Sequence, residues 1–337
     1  LGQMASFKSS FLTLRKLGAG LSAASLEGLT QKQATQAKKS EDIFQIIIKG
    51  DGKGVTEYVQ HGNDVNAKDS ITGNALLHWA AWKGQRNIAN YLLEHKADPQ
   101  KAGYNGYTPL HLAAENGHLS VVKLFVGKYE LDPNCQNEVG STPLHLACRR
   151  GHLHIVRYLC EKAGCNISIT TTDGYTAFME SCVYGFVAVV DYFIKKHGVD
   201  PNIRGTGVDP DSHTRPTVLH MAAAKGKQIV VECLLKRGAD PNVTCEGGNT
   251  PLHAACEMGQ FEVVRTLIMK GGDPYAKNER GLSPFDAAFR GAHTEIIRLA
   301  LFMRWLRPPG ESEGGTGGGL RGRLRSASVS VVGALGG

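Results

Sequence analysis

The amino-acid sequence predicts an all-α solenoid of about eight stacked helix-turn-helix units, and three observations carry that expectation. A seven-residue string recurs at nearly constant spacing, a glycine follows each copy at a fixed distance, and an Asp/Asn turn closes each unit.

The string reads Thr108-Pro109-Leu110-His111-Leu112-Ala113-Ala114, then Thr142-Pro143-Leu144-His145-Leu146-Ala147-Cys148, then Thr250-Pro251-Leu252-His253-Ala254-Ala255-Cys256. Looser copies begin at Ala75, Thr176, Thr217 and Ser283, so the steps between starts are 33, 34, 34, 41, 33 and 33 residues. Thr or Ser at a start is a helix N-cap, its oxygen taking an otherwise orphaned amide, and Pro suits the first helical turn. Gly84, Gly117, Gly151, Gly185, Gly226 and Gly259 each stand nine residues after a start, where the helix end needs a left-handed turn. The last copy departs from this, with Gly291 one place early and Ala292 in the expected position.

A second helix follows in each unit, with an apolar face such as Val121, Val122, Leu124 and Phe125, or Val263, Val264, Leu267 and Ile268. Turns such as Ala239-Asp240-Pro241-Asn242 then end the unit. One helix pair cannot bury its own apolar side, whereas stacked pairs can. The stretch Asp42 to Val65 has two apolar segments, Ile43–Ile48 and Val55–Val59, but no string, and reads as an atypical first cap.

On this period and this string, residues 41–306 resemble the ankyrin-repeat family. The resemblance implies short β-hairpin fingers between units and a concave surface lined by the fingers and the first-helix ends. It further implies a function in binding another protein, without catalysis and without a cofactor or metal. A shorter string, Leu77-His78-Trp79-Ala80-Ala81, is similar to one in ankyrin-bearing protein S-acyltransferases. It implies an alternative, that the chain is a fragment, the substrate-recruiting arm of a larger enzyme. The Asp-His-His-Cys motif of those enzymes does not occur in these residues. The chain opens at Leu1, with Met4 its first methionine, which also points to a fragment or an incomplete translation.

Charge divides by region. The net +7 arises from a balance of +5 over residues 1–40 and +4 over 290–337, while the body between them carries −2. A nearly neutral body predicts no nucleic-acid surface there. Residues 1–40 read as a basic, disordered leader, and its acid-free first 26 residues are compositionally like an organellar transit peptide as the alternative. Residues 307–337 read as a Gly/Ser/Arg-rich disordered tail, in which Ser328, after Arg323 and Arg325, is a candidate phosphosite. Eight cysteines without a C-x-x-C pair, and no signal peptide, predict free thiols and a cytoplasmic or nuclear address. No apolar run is long enough to span a bilayer, and a monomer is expected.

Of the 13 histidines, His78, His111, His145, His220 and His253 share one repeat position, which predicts a structural hydrogen bond rather than catalysis. His152 and His154 lie near Cys148, but Cys148 shares its slot with Ala114, Ala223, Cys182 and Cys256, which predicts packing rather than metal binding. Cys135 and Cys245 fall in the fingers and are the more exposed thiols, and Trp79 aligns with Leu112, Leu146 and Met221 as a core position.

The partner-binding expectation rests on positions the repeat leaves free. Trp82, Tyr104, Tyr107, Tyr175 and Tyr184 lie in consecutive units with Arg149 and Arg150 between them, and Trp, Tyr and Arg are the residue types enriched in binding hot spots. The row is expected to be exposed, so that replacing the arginines costs little stability. The finger over residues 202–216 holds seven extra residues, as the 41-residue step requires, and is either a second place for function or a neutral insertion.

Overall fold

The computed structural model describes residues 43–205 and 215–305. The leader, the tail with Ser328, and the middle of the 202–216 insertion lie outside the described residues. The described residues form sixteen helices in eight successive pairs. The first four pairs are α1 (43–49) with α2 (Gly52–Gln60), α3 (Leu76–Trp82) with α4 (Arg86–Glu94), α5 (Pro109–Glu115) with α6 (Leu119–Lys123), and α7 (Pro143–Arg150) with α8 (Leu153–Glu161). The other four are α9 (Ala177–Tyr184) with α10 (Val187–His197), α11 (Val218–Ala224) with α12 (Gln228–Lys236), α13 (Pro251–Glu257) with α14 (Phe261–Met269), and α15 (Pro284–Arg290) with α16 (Thr294–Trp305). Beyond α6 the backbone widens into a π-type turn over Leu124–Lys128, with Phe125 fully buried.

Each expected start is a cap. The side chains of Thr142, Thr176, Thr250 and Ser283 accept from the amides of His145, Met179, His253 and Asp286. Pro109, Pro143, Pro251 and Pro284 fill the first turn and are buried there. Such a cap contributes about 1 kcal/mol. At Gly151 two constraints coincide, a left-handed φ of 74° and a close neighbour, since a Cβ there would lie 2.2 Å from Phe186 Cδ1. In the last pair Ala292 takes the left-handed turn at φ 54°, although it is not glycine.

First helices pack on first helices and second helices on second helices along the stack, giving two layers with one continuous core between them. Ile43, Ile47 and Val55 are fully buried, so the first pair contributes to that core. The fingers are slighter than the expected β-hairpins. Among the described residues no strand forms, and three isolated antiparallel bridges join Lys68 to Ala75, Thr170 to Thr176 and Arg204 to Thr217. The returning arm ends in each case at the cap residue, which turns away to begin a helix and leaves no length for a ladder.

Candidate functional site

The repeated histidine is a relay between units. In the His78, His111, His145, His220 and His253 units, Nδ1 accepts the amide of the cap residue at 3.1–3.4 Å. That fixes the proton on Nε2, which donates to the carbonyl just before the next cap. The acceptors are Tyr107, Ser141, Tyr175, Asn249 and Leu282, at 2.9–3.1 Å. Burial then lowers the pKa of His78, His111, His145 and His220 to about 4. These imidazoles are neutral structural groups. A second relay runs alongside, with His118, His152 and His293 donating to the carbonyls of Trp82, Glu115 and Glu257, all at 2.9 Å.

The relay has one gap, beside the insertion. Met179 stands where five other units have His and the last has Asp286, and its sulfur meets the Thr176 amide at 3.5 Å. The carbonyl of Pro216, the counterpart of those acceptors, takes Gly205 N at 3.1 Å instead. Arg204 holds the base of that finger against the next one through Thr244 O at 2.8 Å.

Four residues of the predicted row are brought together, and not as free side chains. Arg149 donates to Glu180 from Nε at 3.3 Å and from Nη2 at 2.6 Å. The side chain of Arg149 is 21% exposed and that of Glu180 is 8% exposed. Burial opposes the guanidinium charge, yet the paired Glu180 carboxylate holds the Arg149 pKa above its ordinary value. Arg150 donates to Glu115 at 2.8 Å, one repeat back. The guanidinium of Arg149 also lies 5.8 Å from the ring of Tyr184. Tyr107 sits within the field of all four of these charges, and burial pushes its hydroxyl up to about 12. The expectation of exposed, unpaired arginines is therefore corrected. Each ties its own unit to a neighbour, because a nearly covered carboxylate requires a partner.

Tyr104 and Tyr184 are each 40% exposed and face solvent as expected. Trp82 is half-buried, edge-on to Trp79 at 5.9 Å with Lys83 Nζ 4.4 Å from its ring centroid. Tyr175 also packs partly on the core. Trp79 is a core residue, and its indole donates to Asp69 at 3.1 Å. Sequence reasoning missed Glu180, although a signal was present. It occupies the slot that holds Trp79, Leu112, Leu146 and Met221 in other units, and an acid in an apolar slot announces a buried pair.

His152 and His154 both bond carbonyls of the preceding repeat, Glu115 O at 2.9 Å and Gly117 O at 3.1 Å, while Cys148 is fully buried. Among the described residues no group of three or more His, Cys, Asp or Glu is placed to hold a metal ion. Nor is any described helix long and apolar enough to cross a membrane. Cys135 is half-buried and burial pushes its thiol up to about 11, against a reactive thiol there. An open groove of about 430 Å³, on the second-helix layer and apart from the row, is lined by Val187, Asp191, Lys195, Ile229, Cys233 and Arg237.

The fold and the row together define a class, a helix-pair repeat protein whose relays stack one unit on the next. Comparison with known proteins makes the assignment specific. The family model for ankyrin repeats (3 copies) matches residues 33–137, 121–205 and 203–278, and the chain belongs to the ankyrin-repeat family. The palmitoyltransferase Hip14 of Drosophila melanogaster is 42% identical over 86 residues, 25% of this chain and 13% of that protein. The 2-5A-dependent ribonuclease of Mus musculus is 35% identical over 81 residues, 24% of this chain and 11% of that protein. The 26S proteasome non-ATPase regulatory subunit 10 of Dictyostelium discoideum is 33% identical over 97 residues, 28% of this chain and 41% of that protein. The matched stretches thus span between 11% and 41% of these relatives, whose names describe unlike activities.

Proposed function

We propose that this chain is an interaction scaffold or adaptor that binds another protein on the concave, first-helix side of the array. Trp82, Tyr104, Tyr107, Arg149, Arg150, Tyr175 and Tyr184 form the contact row. The observation that carries the reading is the solvent exposure of Tyr104 and Tyr184, each 40% exposed, beside the ion pairs of Arg149 and Arg150. Aromatic groups beside pre-ordered arginines are what interface anchors require, because their conformational entropy is lost before the partner arrives. Ankyrin repeats support the coarser statement, protein–protein interaction. The same reading makes the chain a non-catalytic monomer of the cytoplasm or nucleus, needing no cofactor.

The test is proximity labelling in cells with three full-length chains: wild type, Tyr104→Ala/Tyr184→Ala, and a far-end control, Glu279→Ala/Arg280→Ala. The tyrosine variant is expected to lose a set of neighbours that wild type and control share, with its helical circular dichroism unchanged. An undiminished set in the tyrosine variant contradicts the reading.

One observation favours a second reading, the recruiting arm of a larger enzyme. The match to Hip14, at 42% identity over 86 residues, includes an enzyme named as a palmitoyltransferase. Sequencing the full transcript separates the two readings, since membrane-spanning or catalytic sequence joined to residue 337 belongs only to the second.

A further inference from the structure

Cys160 lies in the last turn of α8, and Cys165 follows it after the left-handed turn at Gly164, φ 68°. Their sulfurs are 3.6 Å apart, within reach of a thiol hydrogen bond. Both thiols are partly exposed, whereas Cys148, Cys182 and Cys256 are buried in the core. Glu161, Lys162 and Gly164 between them are exposed, and a Cβ on Gly164 would meet nothing within 4 Å, so the approach to the pair is open. A disulfide requires the sulfurs to close to about 2 Å, a movement of the short turn that links them.

We propose that Cys160 and Cys165 are a dithiol modification site that exchanges with low-molecular-weight disulfides such as oxidised glutathione. The two thiols have separate parts. The contact between the sulfurs lowers the pKa of the Cys165 thiol and raises that of Cys160, so Cys165 is the thiol that ionises first. The Cys165 thiolate attacks one sulfur of glutathione disulfide, forming a Cys165–glutathione bond and releasing one glutathione thiolate. Cys160 then loses its proton to solvent and attacks the Cys165 sulfur, forming the Cys160–Cys165 bond and releasing the second glutathione. Two protein thiols are oxidised and one disulfide is reduced to two glutathione molecules, with no other reactant.

The bond forms at a place that connects to the neighbouring unit. Asn166, directly after Cys165, donates its amide to Asn134 Oδ1 at 2.7 Å, a rung between successive fingers. Oxidation ties that rung to the end of α8.

The test equilibrates the full chain in glutathione buffers from reducing to oxidising, then quenches with acid, alkylates and maps peptides by mass spectrometry. The expected product is a Cys160–Cys165 linkage that lacks two hydrogens and both alkyl groups. It is expected to appear before any modification of Cys135, Cys233 or Cys245 and to reverse with dithiothreitol. In a Cys160→Ser chain, checked for unchanged helical circular dichroism, Cys165 is expected to stop as the glutathione adduct. The proposal is overturned if Cys160 and Cys165 remain fully alkylated in buffers where Cys233 or Cys245 already carries glutathione. It is equally overturned if wild-type Cys165 retains glutathione without its displacement by Cys160.

Discussion

At the scale of single residues, the histidine relay makes acid a direct reporter of the fold. His78, His111, His145 and His220 remain neutral in the folded chain down to about pH 4, whereas their ordinary value is 6.5. Between those values the unfolded chain binds protons that the folded chain refuses, so stability rises with pH across that window. Their contribution is complete above the ordinary value, is lost as pH falls toward 4, and levels off below it. Each histidine contributes on the order of 1–3 kcal/mol to that slope. Thermal midpoints measured from neutral pH downward are expected to fall through this window, and a His111→Gln chain should give a shallower fall. A flat midpoint across the window contradicts the relay. The Arg149–Glu180 pair makes the second residue-scale prediction. Arg149→Ala leaves a nearly covered carboxylate without its partner and is expected to cost about 2–4 kcal/mol in chemical denaturation. Arg149→Leu combined with Glu180→Leu should restore most of it. A loss below about 0.5 kcal/mol, as for exposed positions, would show the pair to be incidental.

At the scale of elements, caps and glycine turns were legible in the sequence because each is enforced by a local rule. Thr or Ser must precede Pro, and a left-handed residue must end the helix. The ion pairs were not legible in the same way. Arg149 and Arg150 look free in their own helix, and their partners Glu180 and Glu115 belong to neighbouring units in opposite directions, so only the stacked geometry reveals them. Likewise, periodicity found the cysteines that share a repeat slot but not Cys160 and Cys165, which meet through a turn that is not part of the string. The glycine turns allow a clean test. Gly151→Ala combines left-handed strain with a contact 2.2 Å from Phe186, whereas Gly164→Ala, at φ 68°, meets nothing within 4 Å. The first is expected to cost at least about 2 kcal/mol and the second about 1 kcal/mol. Equal losses in urea titration would mean that packing between units contributes nothing at Gly151.

At the scale of the whole molecule, each unit contacts mainly its neighbours, so stability accumulates along the stack from repeated interfaces. Surface positions are then released from the fold wherever a relay, a cap or the core does not use them. Tyr104 and Tyr184 are each 40% exposed, and that exposure joins the architecture to the proposed function. The most direct measurement places a photo-crosslinking benzoylphenylalanine at Tyr104, at Tyr184, or at Ile229, a 66% exposed position on α12 in the second-helix layer. Light is expected to give a discrete adduct with the partner from the Tyr104 and Tyr184 chains and none from the Ile229 chain. An adduct from Ile229, with neither tyrosine position crosslinked, would contradict the assignment of the first-helix side as the binding face.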